Sequence, residues 1–317
     1  MQKKILLTAC LCFLAGLLGG FFLSRTGTPR APEGAAFNTP NDQPPADDAA
    51  GINLRADFNP QSALIIGANE MVRYHQRTFI EMIQAIGPRT PVIALVNDRD
   101  EYNTARELLN RAGVNATNVF YMGIELNSMW VRDYGPIFVS RINQIPYIID
   151  FDYSNVDEDK ERWRDNDFPI MFGNIAGLEV RHTPLRLEGG NLLSNGDGLC
   201  LTTTALIGRN ISRGYSKEQI GVQLRNAFGF DSWVYLQTLE GEATGHVDMF
   251  VTFLRRNLAL VAKMDPATDP ENAALLDEAA ALISQQMTSL GRIRVHRIPM
   301  PSPKEGNFYF RVDRGLP

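Results

Sequence analysis

Cysteine is scarce in this sequence. Among the 317 residues there are three cysteines, and two of them, Cys10 and Cys12, lie in the first part of the chain. Cys200 is the single cysteine of the remainder, and one thiol cannot form an intrachain disulfide. A small disulfide-stabilised fold is therefore excluded, and the 44% of apolar residues must supply the core.

An excess of positive charge is also lacking. The chain has 31 Lys and Arg against 36 Asp and Glu, which gives a formal net charge of −5. Proteins that bind nucleic acid through a broad surface field carry the opposite excess. We therefore expect no nucleic-acid partner.

The usual motifs for metals and nucleotides are missing as well. The chain has four histidines without HxxxH spacing and no CxxC pair, which argues against a zinc site; they are His75, His182, His246 and His296. No Walker loop and no GxGxxG motif occurs. We therefore expect neither a zinc site nor nucleotide-dependent chemistry.

One long hydrophobic run is present, at residues 5–23. It contains no charged residue, follows Lys3 and Lys4, and would span about 28 Å as a helix. The lysines predict a cytoplasmic N-terminus and an uncleaved signal anchor at the inner membrane. A cleaved signal peptide and a lipoprotein attached through Cys10 are the alternatives. All three predict export, with the body of the protein on the periplasmic or extracellular side.

Composition divides the chain into three segments. Residues 26–50 contain five prolines and no aliphatic side chain larger than alanine, so they cannot form a packed core. We expect a signal anchor or signal peptide over 1–25, a flexible linker over 26–50 and one folded domain over 51–317.

Within that domain, apolar runs alternate with helical periodicity. Strands are predicted over 63–67, 91–96 and 119–122, with helices over 74–86 and 101–112 between them. Paired strands are predicted over 136–140 and 146–152, 192–194 and 200–204, and 248–253 and 258–261. Helices over 216–228 and 269–287 and a strand over 293–298 complete the pattern. The order strand–strand–helix–strand recurs about every 50–70 residues, which indicates an α/β fold.

Three short stretches carry side chains suited to chemistry. The first, WVRDYGP at 130–136, places Trp130, Arg132 and Asp133 before a Gly-Pro break. A carboxylate can bind a guanidinium group through two hydrogen bonds while an indole packs on its face. Alternatively, Arg132 and Asp133 form an internal structural pair, with Trp130 in the core.

The second and third stretches are EGGN at 188–191 and GHVDMF at 245–250. Paired glycines beside Glu188 and Asn191 allow close approach of the backbone to a ligand, although they also occur in ordinary bulges. His246 and Asp248 lie two residues apart at the start of a predicted strand, so we expect their side chains on one face. An imidazole beside a carboxylate is suited to proton transfer.

Together these stretches resemble the Porphyromonas-type peptidylarginine deiminase and agmatine deiminase family, over roughly residues 51–311. The resemblance implies a pentein fold, an α/β propeller of ββαβ repeats around a pseudo-fivefold axis, and we expect the last repeat of this chain to be incomplete. It also implies hydrolysis of a guanidino C–N bond to a ureido group and ammonia through a cysteine thiolate, with neither a metal nor an organic cofactor. The implied substrate is a small guanidino compound or an arginine-containing peptide.

The resemblance assigns roles to individual residues. Asp133 and Asp248 would hold the guanidinium group, and His246 would protonate the departing ammonia and later activate water. These three form the predicted catalytic set. The predicted substrate-binding set adds Trp130 as a pocket wall, together with Glu188 and Asn191.

The family's nucleophile has no counterpart in the printed chain. In the family it is a cysteine near the C-terminus, whereas no cysteine follows Cys200 here. Cys200 lies between Leu199 and Leu201, so we expect a buried structural thiol. We therefore expect impaired hydrolysis, with a truncated reading frame as its cause. The alternatives are a catalytically inactive arginine-binding pentein and a generic exported α/β binding protein.

The predicted strand and loop over 150–159 bears on substrate choice. Peptidylarginine-type members of the family bind a peptide carboxylate through arginines near this point, whereas here the segment is acidic and contains no arginine. That charge favours a second cation, as in agmatine. Predicted export favours a peptide instead, and the sequence leaves both open.

Overall fold

A computed structural model describes residues 52–141, 145–153, 162–229 and 232–300. Its first sheet consists of three parallel strands in the order β2-β3-β4, formed by apolar runs such as LIIG and VIALV. The strands are β2 (Leu64–Gly67), β3 (Val92–Val96) and β4 (Val119–Gly123), and the helices that connect them are α1 (Ala68–Tyr74), α2 (Gln76–Ile86) and α3 (Arg99–Arg111). The Asp98 side chain accepts a hydrogen bond from the Glu101 N–H and so begins α3.

Three ββαβ units follow. Each has an antiparallel strand pair and then a helical connection to a strand parallel to the second. The first unit comprises β5 (Ile137–Arg141), β6 (Tyr147–Asp152), α5 (Trp163–Asn166), α6 (Phe168–Ala176) and β7 (Val180–Arg186). The second comprises β8 (Leu193–Ser194), β9 (Leu199–Thr203), α7 (Thr204–Ile211), α8 (Lys217–Phe228) and β10 (Ser232–Leu236). The third comprises β11 (Val251–Arg255), β12 (Leu258–Lys263), α9 (Pro270–Ser284) and β15 (Arg294–Pro299).

The units recur with a regular period. Their first strands begin at Ile137, Leu193 and Val251, so successive starts are 193 − 137 = 56 and 251 − 193 = 58 residues apart. Two further elements extend this arrangement. Strand β1 (Ile52–Leu54) pairs with β5, and β13 (Met287–Thr288) and β14 (Gly291–Arg292) form a short ribbon before β15. The predicted mixed α/β fold with a strand–strand–helix–strand order is confirmed.

Burial of apolar side chains divides the core among these sheets. One cluster lies between α9 and the strands β11 and β12, and includes Leu276, Ile283 and Val261. A second lies where α8 packs on the first two units, with Phe151 and Phe228 stacked at a centroid distance of 5.6 Å. Each sheet thus buries one face against helices, which fixes the ends of its strands in space.

Two local predictions differ from the structure in their bounds. The helix predicted over 74–86 is α2, which begins at Gln76, and the unpredicted helix α1 precedes it and ends at Tyr74. The strand predicted from Asp248 begins instead at Val251, because Val247–Met249 forms a 3-10 turn. The capping box before α8 is confirmed, since the Ser216 hydroxyl accepts from the Gln219 N–H and the Gln219 side chain accepts from the Ser216 N–H.

The predicted membrane-anchored location requires correction. In the part of the chain that the structure describes, no helix combines the length and apolar character that crossing a bilayer requires. The run at 5–23 on which the prediction was based lies outside the described residues, as does the predicted linker over 26–50. The described structure therefore does not support membrane anchoring.

Candidate active site

The candidate site is formed by the connections between successive sheets. Helix α4 (Val131–Tyr134) lies between β4 and β5, and a 3-10 turn at Gly189–Asn191 lies between β7 and β8. The 3-10 turn at Val247–Met249 occupies the corresponding place between β10 and β11. The turn at Gly189–Asn191 contacts both of the others. The three sequence motifs thus occupy equivalent positions in the chain fold and meet at one point.

His246 lies at the centre of this meeting point. Its Nε2 hydrogen-bonds Glu188 Oε2, and its Nδ1 lies 3.6 Å from Asp133 Oδ1. The His246 side chain is 6% exposed and that of Glu188 is 3% exposed. A buried imidazole with a carboxylate on each nitrogen can hold a proton on either side.

Asp248 contacts a different partner from the one that strand alternation predicted. Its Oδ2 lies 3.3 Å from Arg132 Nε, while Arg132 Nη1 lies 3.2 Å from Asp57 Oδ1. The 3-10 turn removes the two-residue periodicity, so the prediction that His246 and Asp248 share a strand face is wrong. Arg132 forms ion pairs with Asp57 and Asp248. It does not form the internal pair with Asp133 that the alternative interpretation of the sequence proposed.

Glycine is required where the connections pack together. A Cβ atom on Gly190 would lie 2.4 Å from His246 Nδ1 and 2.7 Å from Asp133 Oδ1. One on Gly189 would lie 2.2 Å from the Arg132 carbonyl oxygen. All three distances are shorter than real Cβ contacts, so any side chain here would separate the three connections.

Asn191 and Trp130 take other positions around the centre. The Asn191 side-chain oxygen accepts from the Thr203 N–H at 3.0 Å, and the Thr203 hydroxyl donates to the Gly245 carbonyl oxygen. Buried Asn191 therefore joins its own connection to β9, and Thr203 joins β9 to the connection that carries His246. Trp130 immediately precedes α4, and its side chain is half exposed.

Sequence reasoning missed Asp57, the ion-pair partner of Arg132, and also Arg209 on α7. Its Nη1 donates to Glu188 Oε2 at 3.0 Å, and its Nη2 donates to the Thr244 carbonyl oxygen at 2.7 Å. The helix itself was not predicted, and a lone arginine in an apolar periodic stretch carries no signal for a site 21 residues away from Glu188. Contact with a carboxylate already assigned to the site identifies it only in three dimensions.

The site carboxylates and the imidazole have shifted pKa values. Burial raises the pKa of Asp133 to about 6; the Glu188 and Asp248 charges add to this, and His246 opposes it. Burial alone would lower the pKa of His246, but the hydrogen bond with Glu188 and the Asp133 charge raise it above the ordinary value. Burial would raise the pKa of Glu188, yet His246 and Arg209 hold it below its usual range.

Cys200 is placed away from this chemistry. The thiol is completely buried in the middle of β9, within the core cluster that also contains Leu206 and Phe228. Burial raises its pKa well above the usual range, although a hydrogen bond with Ser194 opposes the shift. Cys200 is therefore a structural thiol, as the sequence predicted.

The acidic segment over 150–159 is only partly described, and its two described carboxylates already have partners. Asp150 Oδ2 lies 3.0 Å from His182 Nδ1, and Asp152 Oδ2 lies 2.6 Å from Arg213 Nη2. The alternate residues of β6, Ile149 and Phe151, line the small cavity beside Asp133. Asp150 and Asp152 therefore point to the other face of the strand, and residues 154–159 lie outside the described residues.

The described residues contain no group of three or more His, Cys, Asp or Glu side chains arranged to hold a metal ion.

Comparison with known proteins identifies relatives of the chain. A family model for Porphyromonas-type peptidyl-arginine deiminase matches residues 55–313. The chain is 31% identical to an agmatine deiminase of Stutzerimonas stutzeri over 241 residues, which cover 72% of this chain and 63% of that protein. It is 28% identical to an agmatine deiminase of Pseudomonas putida over 291 residues, 84% of this chain and 74% of that one. The match thus spans less than two thirds of the S. stutzeri relative.

Solved structures with the same fold are found at lower identity. An agmatine deiminase of C. jejuni with substrate bound has a TM-score of 0.67 at 18% identity, covering 82% of this chain and 76% of that one. An agmatine deiminase of Enterococcus faecalis has a TM-score of 0.69 at 21% identity, covering 81% and 72%. The fold, the three converging motifs and the match over residues 55–313 lead to one conclusion: the chain belongs to the Porphyromonas-type peptidyl-arginine deiminase family.

Proposed function

We propose that this protein has the guanidinium-binding and proton-transfer side chains of a guanidino hydrolase, an enzyme that converts a guanidino C–N bond into a ureido group and free ammonia. The observation that carries the proposal is the pair of carboxylates, Asp133 and Glu188, on the two nitrogens of buried His246. With Asp248 beside them, the site concentrates negative charge around a proton carrier. That combination suits a planar cation whose leaving nitrogen must be protonated.

Each residue has a role in this proposal. Asp133 and Asp248 bind the guanidinium nitrogens, hold the group in one orientation and keep its carbon electrophilic. In the hydrolytic reaction a thiolate would add to the guanidinium carbon, and His246 would protonate the ammonia that leaves. His246 would then take a proton from the water that cleaves the carbon–sulfur bond of the resulting intermediate. Glu188 keeps the imidazole oriented and stabilises its protonated form. Trp130 provides a wall, and Asn191 holds the EGGN turn in place.

The nucleophile is the component that the described residues do not provide. Cys200 is fully buried and its pKa is raised, so it cannot attack a substrate at His246. The family resemblance places the thiolate C-terminal to the last ββαβ unit, and the printed chain has no cysteine there. We therefore propose that residues 1–317 bind a guanidino compound and do not turn it over.

A small cationic guanidino compound is the proposed substrate. The curated S. stutzeri and P. putida relatives are agmatine deiminases, and the C. jejuni structure contains its substrate. The nearby carboxylates Asp133, Asp248 and Asp57 favour a ligand with a second positive charge over one with a carboxylate. Agmatine, rather than an arginine-containing peptide, is therefore the ligand to test first.

We also propose how the sheets are arranged around the site. The parallel sheet β2-β3-β4 and the three ββαβ units are proposed to be blades of a propeller around a pseudo-fivefold axis. The site would lie where the connections between blades meet on that axis. The regular spacing of the units supports this arrangement.

Calorimetry with agmatine tests the proposal directly. We expect binding to the chain of residues 1–317, and no ammonia release in the same samples. Asp248→Asn should weaken binding by about 30-fold or more, because it removes one carboxylate of a desolvated charge pair, an effect of about 2 kcal/mol or more.

Asp277→Asn is the matched control for this experiment. Asp277 also pairs with an arginine, Arg297, but on the exposed face of α9. It should bind agmatine as the unmodified chain does. Absence of agmatine binding, or equal effects of the two substitutions, would contradict the guanidinium site. Ammonia release would contradict the proposed lack of a nucleophile.

A further inference from the structure

Arg209 shares a carboxylate oxygen with the imidazole of the site. Glu188 Oε2 accepts from Arg209 Nη1 at 3.0 Å and also contacts His246 Nε2. Glu188 is almost completely buried, whereas Arg209 is 28% exposed. A buried carboxylate needs several partners for its lone pairs, and here a fixed cation supplies one of them.

The second arm of Arg209 fixes the stretch of chain that carries His246. Nη2 donates to the Thr244 carbonyl oxygen at 2.7 Å. The same stretch is closed internally by Glu242, which accepts from the N–H groups of Thr244 at 2.9 Å and of His246 at 3.1 Å. The Arg209 guanidinium group thus connects Glu188, which orients the imidazole, with the backbone of Thr244, two residues before His246.

The neighbouring residue, Asn210, explains why Arg209 is held at this place. Asn210 is completely buried; its side-chain oxygen accepts from the Arg186 N–H at 2.9 Å, and its amide donates to the Arg186 carbonyl at 3.0 Å. It also donates to the Leu206 carbonyl within α7. These bonds attach the C-terminal turn of α7 to the end of β7, two residues before Glu188. The helix therefore presents Arg209 to Glu188 in one fixed position.

We propose, resting on the proposed function, that Arg209 is a positioning residue that holds Glu188 against His246 and limits how strongly that carboxylate retains the imidazole's proton. With Glu188 facing His246 alone, its full charge would favour the imidazolium form. Arg209 shares that charge, so His246 can still give up its proton to a leaving group and accept one from water.

The test is the titration of His246, followed by NMR of the imidazole ring in the full chain without substrate. Arg209→Met should raise the pKa of His246 by about one unit, because a cation near the imidazolium is lost. Arg209→Lys keeps the charge and should shift it by a few tenths at most. Amide exchange over residues 244–246 should accelerate in Arg209→Met, since this stretch loses the donor that holds the Thr244 carbonyl oxygen.

Arg213→Met is the matched control. Arg213 has nearly the same exposure, 30%, and the same pattern of contacts, with one nitrogen on the Asp152 carboxylate and another on the Pro184 carbonyl. The His246 titration should be unchanged in this variant. An unchanged pKa in Arg209→Met, or an equal shift in Arg213→Met, would overturn the proposal.

Two further provisions keep the test decisive. If Arg209→Met does not fold, Arg209→Gln retains a donor for Thr244 without the charge and should show the same rise in the His246 pKa. The titration needs no ligand, so failure of agmatine to bind would refute the proposed function and leave the role of Arg209 to be decided by the pKa alone.

Discussion

At the scale of single residues, the three carboxylates of the site differ in their partners. Glu188 faces Arg209 as well as His246, and Asp248 faces Arg132, whereas Asp133 faces the imidazole. Burial therefore acts most visibly on Asp133 and raises its pKa to about 6. Asp133 is thus the site carboxylate whose charge is most sensitive to pH below neutrality.

This shift predicts how ligand affinity changes with pH. A guanidinium group binds the ionised form of Asp133, and a carboxyl group with a pKa of about 6 is mostly ionised at pH 7 and mostly protonated at pH 5. Agmatine affinity should therefore fall by about tenfold from pH 7 to pH 5. Calorimetry at both pH values, with the fold checked by circular dichroism, measures the change.

The control removes a carboxylate on the other face of β6. Asp152→Asn should retain the pH dependence, whereas Asp133→Asn should bind weakly and with little dependence on pH. If the unmodified chain binds agmatine with the same affinity at both pH values, Asp133 is not the carboxylate that binds the guanidinium group.

Single residues also show what sequence reasoning could reach. The three motifs identified Asp133, Glu188, His246 and Asp248 because their residue types suit a cation, and the structure brings them together. The sequence could not show which of these residues contact one another. Glu188 and His246 are 58 residues apart, and their contact arises from tertiary packing. The shared face proposed for His246 and Asp248 assumed a strand, and a 3-10 turn at Val247–Met249 replaces it.

At the scale of elements, the site depends on how strands end. Strand β9 ends at Thr203, whose N–H donates to Asn191 and whose hydroxyl donates to the Gly245 carbonyl oxygen. The same hydroxyl accepts from the Ala205 N–H, so it also begins α7. Thr203, through its backbone and its hydroxyl together, therefore connects a strand, a helix and two of the site's connections.

Adjacent threonines on β9 allow a matched prediction. Thr203→Val should lower the free energy of unfolding by about 1–3 kcal/mol, because a buried carbonyl and the start of α7 lose their partner. Thr202 is equally buried, but its hydroxyl has no hydrogen-bond partner within the described structure. Thr202→Val should be neutral or stabilising, since it replaces an unpaired hydroxyl with a methyl group.

Urea unfolding of both variants measures these differences, and calorimetry with agmatine shows whether the site is affected. Binding should weaken in Thr203→Val only. Equal losses of unfolding free energy in the two variants would show that the hydrogen bonds of the Thr203 hydroxyl do not stabilise the fold.

Elements were also the level at which sequence patterns succeeded best. The Ser216 capping box, the Ala-rich periodicity of α9 and the turn between β8 and β9 are local signals, and local signals determine local structure. Helix α7 was missed because residues 204–211 follow a strand without a break in the chain. Its importance lies in Asn210 and Arg209, whose contacts are with β7 and the segment that carries His246.

At the scale of the whole molecule, the core separates structural from chemical residues. Cys200 lies in the middle strand of a sheet, with helices α7 and α8 packed over its side of the strand. Such a thiol can react only when the domain opens globally.

Thiol labelling tests this prediction. With Cys10 and Cys12 replaced by serine, Cys200 should react at least about 10³-fold more slowly in native buffer than in urea. Burial raises its pKa, so little thiolate is present even when the thiol is reached. Rapid stoichiometric labelling of the native chain would contradict the structural role and reopen Cys200 as a nucleophile.

The meeting of three connections has a consequence for cohesion. Each sheet delivers like charge to one point, so assembling the folded units brings carboxylates into mutual repulsion that none of the units experiences alone. A cation bound there would reduce this repulsion, and it would stabilise the contacts between adjacent units more than the interior of any one unit. Ligand recognition and the joining of the units would then be one physical event.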